Sequence, residues 1–283
     1  MSRVAIVTDS ASDLDPQRAA ELGVAVVPLA VSFGSEQFKA GVDLSTEAFW
    51  ARMTAPDAPF PKTAASSPGD FQAVYERLFA EGFDAIVSIH VAGTLSGTIK
   101  SAEVAKGLLA GRDIEIVDST SASMGEGLLA EIALDLAGRG VSAAEIARIL
   151  RDRAADLNLF VALDTLEYLK RGGRISGAQA AMGTLLSVKP IITIKDGAVE
   201  TAERVRTRSK ARERVIELLT SRPVERLAIL STPPSEPDSF REEVIARMPD
   251  GVDPAAVTIQ VIGPSVGPHL GPGCLGGVVL YRR

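Results

Sequence analysis

A pattern that recurs three times in the first half of the chain constrains its fold most. Each time, a short apolar run ends in small polar residues and a helical pattern follows. The three stretches are "VAIVTDSASDLDPQRAAELG", "DAIVSIHVAGTLSGTIKSAEVAKGLL" and "IEIVDSTSASMGEGLLAEIALDLAG". Continuous apolar runs suit strands that are buried on both faces of a parallel sheet. Strands alternating with helices predict an N-terminal three-layer α/β/α domain over residues 1–157, with a mostly parallel sheet.

The second half changes character near Phe160. It predicts a strand, a short helix, a Gly-rich turn, a further helix and then two strands joined at Asp196 and Gly197, a dipeptide typical of a hairpin. More alternating helices and strands follow, up to a final strand in "CLGGVVLYR". This order predicts a second α/β domain over residues 158–283, with a mixed sheet.

Composition argues against several classes of protein. The net charge of −6 is unlike that of a general nucleic-acid binder, which carries a basic face. The N-terminal residues lack the pattern of a secretory signal, and no apolar run approaches the length of a membrane span. We therefore expect a cytoplasmic protein. Cys274 is the only cysteine, which excludes an intrachain disulfide and favours a small, inert, buried residue.

Polar residues at the strand ends are the first candidates for a site, because ligands of α/β sheets tend to bind beyond the carboxyl ends of strands. In "AGTLSGT", Gly93 and Gly97 allow the backbone to approach a ligand closely, and Ser96 precedes a predicted helix with a hydroxyl free to donate. The alternative is that Ser96 or Thr98 only caps that helix.

Two further segments carry donors or positive charge. "PKTAASSPGD" offers Thr63 and Ser66, which could instead be ordinary turn and cap residues. "LKRGGRISG" combines Lys170, Arg171 and Arg174 with two glycines. This turn suits an anion clamp or a docking point, and a solvated charge run is the alternative.

Carboxylates also follow the strands. Asp9 in "TDSAS" and Asp118 in "DSTSAS" could orient backbone or ligate a metal, and the neighbouring serines could be caps. The chain contains only two histidines and no evident tight carboxylate cluster, so we expect no metal site.

The two histidines stand in different settings. His90 ends an apolar run, which favours a structural role. His269 lies in "IGPSVGPHLGPGCLG", where the density of Gly and Pro predicts a fixed loop that is neither helix nor strand. Such a loop suggests functional placement of the imidazole.

Several catalytic signatures are missing from the sequence. It contains no G-x-x-x-x-G-K-[ST] loop, no G-x-G-x-x-G after a strand and no G-x-S-x-G elbow. A small-molecule hydrolase or transferase that uses the Ser-rich strand ends and His269 remains an alternative, although no pair of nucleophile and base is evident.

Six blocks together identify a family resemblance. They are "VTDSASDL", "PKTAASSPGDF", "LSGTIKSA", "VDSTSASMGEGLL", "LEYLKRGGRISGAQAAMGTLLSVKPII" and "GPHLGPGCLGGV". In this order, and across essentially the whole chain, they resemble the DegV family of bacterial fatty-acid-binding proteins, called FakB in the fatty acid kinase system. One departure is "AASSP", which is one or two residues longer than the Ser-Gln-Pro-like segment usual in the family.

The resemblance implies a two-domain α/β fold related to the substrate-binding part of dihydroxyacetone kinases. It implies one long-chain, hexadecanoate-like fatty acid with its acyl chain in a tunnel and its carboxylate at the domain junction. A separate ATP-binding kinase subunit would phosphorylate that carboxylate to an acyl phosphate for phospholipid synthesis. The chain would need no cofactor, would be no enzyme on its own, and would have no nucleic-acid partner and at most transient contact with a membrane surface.

Carried over by position, the resemblance assigns the carboxylate to Thr63, Ser96 and His269, supported by Gly97 and Thr98. Arg174, from "GGR", becomes a candidate for phosphotransfer or kinase docking. A fatty acid carboxylate has a pKa near ~4–5 and is already ionised at neutral pH, so its attack on phosphorus needs no general base. His269 is therefore predicted to be a donor that fixes the carboxylate.

Overall fold

The computed structural model of the protein describes residues 3–175, 188–248 and 253–283. The helix predicted after the Gly-rich turn lies outside these ranges. Within them, the strands form three sheets, of four, six and three strands.

The first sheet consists of β1 (Val4–Asp9), β2 (Ala25–Val27), β6 (Ala85–His90) and β7 (Asp113–Asp118). Its order is β2-β1-β6-β7 and every pairing is parallel. All residues of β1 and β6 are buried, as continuous apolar strands between two helical layers should be. The predicted parallel sheet is confirmed.

Six helices accompany this half of the chain: α1 (Pro16–Leu22), α2 (Thr46–Met53), α3 (Pro68–Ala80), α4 (Thr98–Leu108), α5 (Met124–Gly138) and α6 (Ala143–Ala154). Side chains of α3 and α4 share a core cluster with Ala5, Val7 and Ile86 of the sheet. Side chains of α5 and α6 pack with the alternate residues Ile6 and Val87 on the opposite face. Because successive strand residues point to opposite faces, this division produces the three predicted layers.

A small antiparallel sheet was not predicted. It contains β3 (Ala30–Phe33), β4 (Glu36–Lys39) and β5 (Lys62–Ala64), in the order β4-β3-β5. The apolar stretch "VAVVPLAVSFG" forms β2 and β3, which belong to different sheets. The break falls at Pro28, which lacks an N–H group for a strand ladder. Thr63 lies on β5 and pairs with Val31.

The second large sheet consists of β8 (Leu157–Ala162), β9 (Lys189–Lys195), β10 (Ala198–Val205), β11 (Val224–Ser231), β12 (Thr258–Val261) and β13 (Leu275–Tyr281). Its order is β10-β9-β8-β13-β11-β12, with β11 and β12 parallel and the other neighbours antiparallel. The predicted mixed sheet is confirmed, and so is the turn at Asp196 and Gly197, both of which have positive φ angles.

The remaining described helices are α7 (Glu167–Arg171), α8 (Arg208–Leu219), α9 (Pro237–Ala246) and α10 (Gly267–Leu270). Helices α8 and α9 cover one face of the mixed sheet through residues such as Val215 and Phe240. The opposite face turns towards the first sheet.

The Gly/Pro segment around His269 differs from its prediction in one respect. Residues Gly267–Leu270 form a single helical turn, so the prediction that no helix occurs there is wrong. The first turn of a helix tolerates proline, because N–H groups there have no intrahelical acceptor and the N–H that proline lacks would be unpaired. Pro268 lies in this first turn. Gly271, with φ 76°, ends the turn.

One hydrophobic cluster joins the two large sheets. It contains Val87 of β6, Leu129 of α5 and Val278 of β13, and α5 contacts strands of both sheets. The domain boundary between residues 157 and 158 remains a prediction. No helix in the three described ranges is both long enough and apolar enough to cross a membrane.

Candidate functional site

A cavity with about 690 Å³ of empty space lies between the two large sheets. Its walls come from both halves of the chain, and most of the lining side chains are apolar. They are Ala11, Leu29, Val91, Leu95, Ala122, Leu159, Val161, Leu169, Ile192, Ile194, Val199, Leu230, Val266 and Leu270. Such a surface suits a hydrocarbon chain.

The polar lining of the same cavity includes Thr63, Ser96, Arg174 and His269. From the sequence, Thr63, Ser96 and His269 are predicted to bind a carboxylate, and Arg174 is a candidate for phosphotransfer or kinase docking. They lie on β5, on the loop after β6, on the segment after α7 and on α10. Residues separated by up to 206 positions therefore meet at one cavity.

His269 and Thr63 are in direct contact. The distance between His269 Nε2 and Thr63 Oγ1 is 2.9 Å. Burial, and secondarily the charge of Arg174, lower the pKa of His269 to about 4, so the imidazole is neutral at physiological pH. If Nε2 carries the ring proton and donates it to Thr63, the threonine hydroxyl proton is free to be donated into the cavity.

The other ring nitrogen of His269 faces the backbone of Gly172. His269 Nδ1 is buried and has no hydrogen-bond partner among the described residues. A β-carbon on Gly172 would lie only 2.2 Å from Nδ1. The absence of a side chain at position 172 thus makes room for the imidazole.

Ser96 lines the cavity and also bonds to the first residue of α4. Its hydroxyl lies 2.8 Å from Thr98 Oγ1 and accepts a hydrogen bond from the Thr98 N–H at 3.3 Å. Thr98 is fully buried, and Gly97 is the N-cap residue of α4. Ser96 lines the cavity, whereas Gly97 and Thr98 form the helix start that holds it.

Arg174 is a half-buried cation. Its Nε donates to Leu95 O at 3.1 Å, and one terminal nitrogen donates to Gly172 O at 2.6 Å. Burial lowers its pKa, and no carboxylate in the described part of the chain forms an ion pair with it. A partly desolvated charge without a counter-ion is unfavourable, so the cavity favours a ligand with a negative charge.

Other predicted candidates lie elsewhere. Lys170 and Arg171 are exposed, and the Arg171 guanidinium lies 3.9 Å from the centre of the Phe60 ring. Ser66 donates to Pro28 O. Asp118 accepts from Gly93 N and so orients the loop that carries Ser96.

A buried polar network beside the cavity was missed from the sequence. Ligand atoms of Asp9, His90 and Glu126 lie within 4.8 Å of one another, so the premise that no tight carboxylate cluster exists is wrong. Asp9 Oδ2 lies 3.1 Å from His90 Nδ1, and Ser88 Oγ lies 2.7 Å from His90 Nε2. Since both ring nitrogens of His90 have partners, the cluster is built as a hydrogen-bonded network.

Glu126 contributes a fully buried carboxyl group to this network. Its burial and the nearby charge of Asp9 raise the pKa of Glu126 well above its ordinary value. Its Oε1 accepts from Thr8 Oγ1 at 2.5 Å and from Asp9 N at 3.2 Å. Asp9 in turn accepts from the N–H groups of Ala11 and Val91, two residues of the cavity wall. The network therefore holds the wall in position.

Asp13 links the first sheet to the loop that carries His269. Its carboxylate accepts from Ser123 Oγ at 2.6 Å and from Gly263 N at 2.9 Å. Burial raises the pKa of Asp13 to about 7. No local sequence signal marks this residue, because its partners lie 110 and 250 positions away.

Residues 3–282 match a family model described as "Uncharacterised protein, DegV family". A DegV domain-containing protein from Halalkalibacterium halodurans is 34% identical over 98% of each chain.

Solved structures agree with this match. A DegV family protein from Thermus thermophilus, described by its fatty acid binding, is 35% identical with a TM-score of 0.89, over 99% of this chain and 100% of its own. A stearic acid-binding protein from Eubacterium ventriosum is 28% identical with a TM-score of 0.87, over 99% of this chain and 98% of its own.

Proposed function

Because this chain belongs to the DegV family, we propose that it binds one long-chain fatty acid in the cavity between its two large sheets. The acyl chain lies along the apolar wall, the carboxylate lies among Thr63, Ser96 and His269, and Arg174 lies beside it. The protein then presents this carboxylate to a separate, ATP-dependent kinase subunit.

The observation that carries the proposal is the two-part character of the cavity. One part holds the hydroxyls of Thr63 and Ser96, a neutral imidazole and a half-buried cation without an ion-pair partner in the described chain. Apart from Ser123 and Ser265, the rest of the lining is apolar. A ligand that satisfies both parts has an anionic head and an apolar tail. Solved relatives described as binding fatty acids support this ligand class.

Affinity comes mainly from the tail. Burying a methylene group contributes roughly 0.8 kcal/mol, so about fourteen of them offer on the order of 11 kcal/mol before costs. The loss of translational and conformational freedom on binding offsets much of this gain.

The chemistry at the head group follows from its charge. An ionised carboxylate oxygen attacks the γ-phosphorus of ATP, the P–O bond to ADP breaks, and an acyl phosphate forms for phospholipid synthesis. Neutral donors orient the carboxylate without forming the strong ion pair that would reduce its nucleophilicity. Arg174 then either stabilises the charge of the transferring phosphoryl group or contacts the kinase. Because the kinase uses ATP, we place the protein in the cytoplasm.

The contact between Thr63 and His269 favours a second candidate, a hydrolase or transferase with Thr63 as nucleophile. Two observations weigh against it. A base whose pKa is about 4 removes a hydroxyl proton poorly at neutral pH, and His269 Nδ1 lacks a carboxylate to orient it among the described residues. Fatty acid binding therefore explains the site better than a hydrolase or transferase does.

The first test is the lipid content of the purified protein. We expect organic extraction followed by mass spectrometry to release about one fatty acid per chain, or delipidated protein to bind one when it is offered. Finding neither would overturn the proposal. Turnover of esters or thioesters by protein without lipid would instead support the hydrolase.

A second test concerns the head group. Thr63→Val combined with Ser96→Ala removes two hydroxyls and leaves the tail cavity intact, so acyl phosphate formation with a cognate kinase should fall by about tenfold or more. Ser66→Ala is the matched control, because the Ser66 hydroxyl is bonded to Pro28 O outside the cavity. Undiminished phosphorylation in the double variant would contradict the assignment.

A further inference from the structure

A second space, the outer cleft, opens beside the fatty acid cavity. It contains about 1,400 Å³ of empty space between the end of β7, helices α4 and α6, and strands β8 and β9. Its apolar wall includes Ile99, Ile116 and Leu157, and its polar rim includes Asn158 and Lys195. The outer cleft shares no lining residue with the polar end of the cavity.

Ile194 borders both spaces. Among the residues that the structure describes, it is the one that lines both the cavity and the outer cleft. The two spaces also approach each other at Ser121, which lines the cleft, and Ala122, the next residue, which lines the cavity. Ile194 is only partly buried. Its β10 partner Val199 is 7% exposed and lines the cavity but not the outer cleft.

Strand register places Ile194 away from the head group. Ala162 of β8 pairs with both Ile191 of β9 and Leu275, the residue at which the loop carrying His269 enters β13. Ile194 lies three residues further along β9, or about 10 Å at the usual rise of a strand. A tail that starts at His269 and runs along the strands towards the β9–β10 turn therefore meets Ile194 on its path.

We propose that Ile194 determines the longest acyl chain that the cavity accepts, and that the outer cleft is a latent extension of the tail site. This inference rests on the proposed function. A chain that reaches Ile194 stops there. With a smaller side chain at position 194, the terminal methylenes pass into the outer cleft and lie against Ile99, Ile116 and Leu157.

The expected effect is a change of chain-length preference. Each methylene that becomes buried tightens binding by about fourfold. For each protein, the affinity for a twenty-carbon fatty acid is divided by the affinity for a sixteen-carbon one. In Ile194→Ala this ratio should be at least about tenfold higher than in the wild type, because the outer cleft then accommodates four more methylenes. Ile194→Phe should shift the preference to shorter chains.

Val199→Ala is the matched control. It removes a similar volume from the residue paired with Ile194, but it enlarges the cavity without opening the outer cleft. Competition binding with saturated fatty acids of twelve to twenty-two carbons, on delipidated protein, gives the preference of each variant. Circular dichroism checks the fold, and Ile194→Val, a smaller truncation, replaces Ile194→Ala if that variant does not fold.

The possible outcomes distinguish the proposed fatty acid binding from the role of Ile194 in chain length. A wild type that binds no fatty acid overturns the proposed function. A wild type that binds fatty acids, with Ile194→Ala and Val199→Ala showing the same preference as each other, overturns the role of Ile194. A long-chain gain confined to the substitutions at position 194 supports it.

Discussion

At the scale of single residues, the polar end of the cavity depends on the lack of a side chain at Gly172. His269 reaches Thr63 only because position 172 is glycine, since any β-carbon there would overlap Nδ1 of the imidazole. The φ angle of Gly172 is −75°, which every residue type tolerates. Space, and not backbone conformation, therefore explains this glycine.

We expect Gly172→Ala to displace the imidazole and weaken fatty acid binding. Forcing an extra methyl group into a packed site typically costs about 1–3 kcal/mol, which corresponds to an increase in Kd of roughly fivefold or more. Isothermal titration calorimetry with one fatty acid measures the change.

Gly107→Ala is the control, because Gly107 lies in α4 with no atom near its missing β-carbon. Alanine there should leave binding unchanged and favour the helix. Equal affinity of Gly172→Ala and the wild type would show that His269 does not depend on this contact.

At the scale of elements, the loop between β12 and β13 is fastened to the first half of the chain at three points. Ile262 O accepts from Trp50 Nε1 at 2.8 Å, Gly263 N donates to Asp13, and Ser265 Oγ lies 2.8 Å from Ser10 Oγ. The helical turn that carries His269 begins two residues after Ser265. These three hydrogen bonds hold the loop, and with it the His269 imidazole, in position at the cavity.

Asp13 makes one of these attachments sensitive to pH. Its pKa is about 7 in the folded protein and near 3.8 ordinarily, so the folded state binds this proton more tightly than the unfolded chain. The contribution of Asp13 to the free energy of unfolding is therefore greatest below about pH 4 and declines as the pH rises through 7. Burial is the main cause of the raised pKa of Asp13, and the charge of Asp9 adds a smaller upward contribution.

Asp13→Asn should remove this decline. The amide oxygen still accepts from Gly263 N, and the amide nitrogen can donate to Ser123 Oγ. We expect the variant to be more stable than the wild type by about 1–4 kcal/mol at pH 8, and close to it at pH 4. Urea unfolding at the two pH values tests this, with the exposed helix cap Asp15→Asn as control. A variant less stable than the wild type at pH 8 would contradict the assignment.

Local patterns predict elements well and their long-range partners poorly. Apolar runs predict β1, β6 and β7, because burial on both faces leaves a direct trace in neighbouring residues. The roles of Asp13 and Glu126 leave no such trace, because each depends on contacts more than one hundred positions away. Thr63 and His269 were predicted from family resemblance, whereas spacing alone left Thr63 as a possible turn residue.

At the scale of the whole molecule, the two sheets share a core. Leu128 and Leu129 of α5 lie in one cluster with residues of both sheets. Ion pairs of Arg226 with Glu131 and Asp135 add to the contact between α5 and β11. A cavity placed in this shared region keeps its shape only while both sheets remain folded.

We therefore expect the molecule to unfold in one transition despite its two sheets. Val215→Ala truncates a buried residue of α8, on the outer face of the mixed sheet, and should cost about 1–3 kcal/mol. Trp50 packs with the small sheet in the other half of the chain. The midpoint reported by Trp50 fluorescence should fall as much as the midpoint reported by far-UV circular dichroism.

Two separate transitions would contradict a shared core. So would a Val215→Ala variant in which only the circular dichroism midpoint moves. Because the wild type is measured by both methods under the same conditions, it provides the reference for each.

The attachment of Trp50 to the loop of His269 has an optical consequence. Trp50 is the only tryptophan of the chain, its indole N–H donates to Ile262 O, and its ring lies beside Gly267 in the turn that carries His269. Indole emission responds to changes in polarity and packing around the ring. The chain thus contains its own fluorophore within one helical turn of the imidazole, and its emission can report the filling of the cavity in real time without a label.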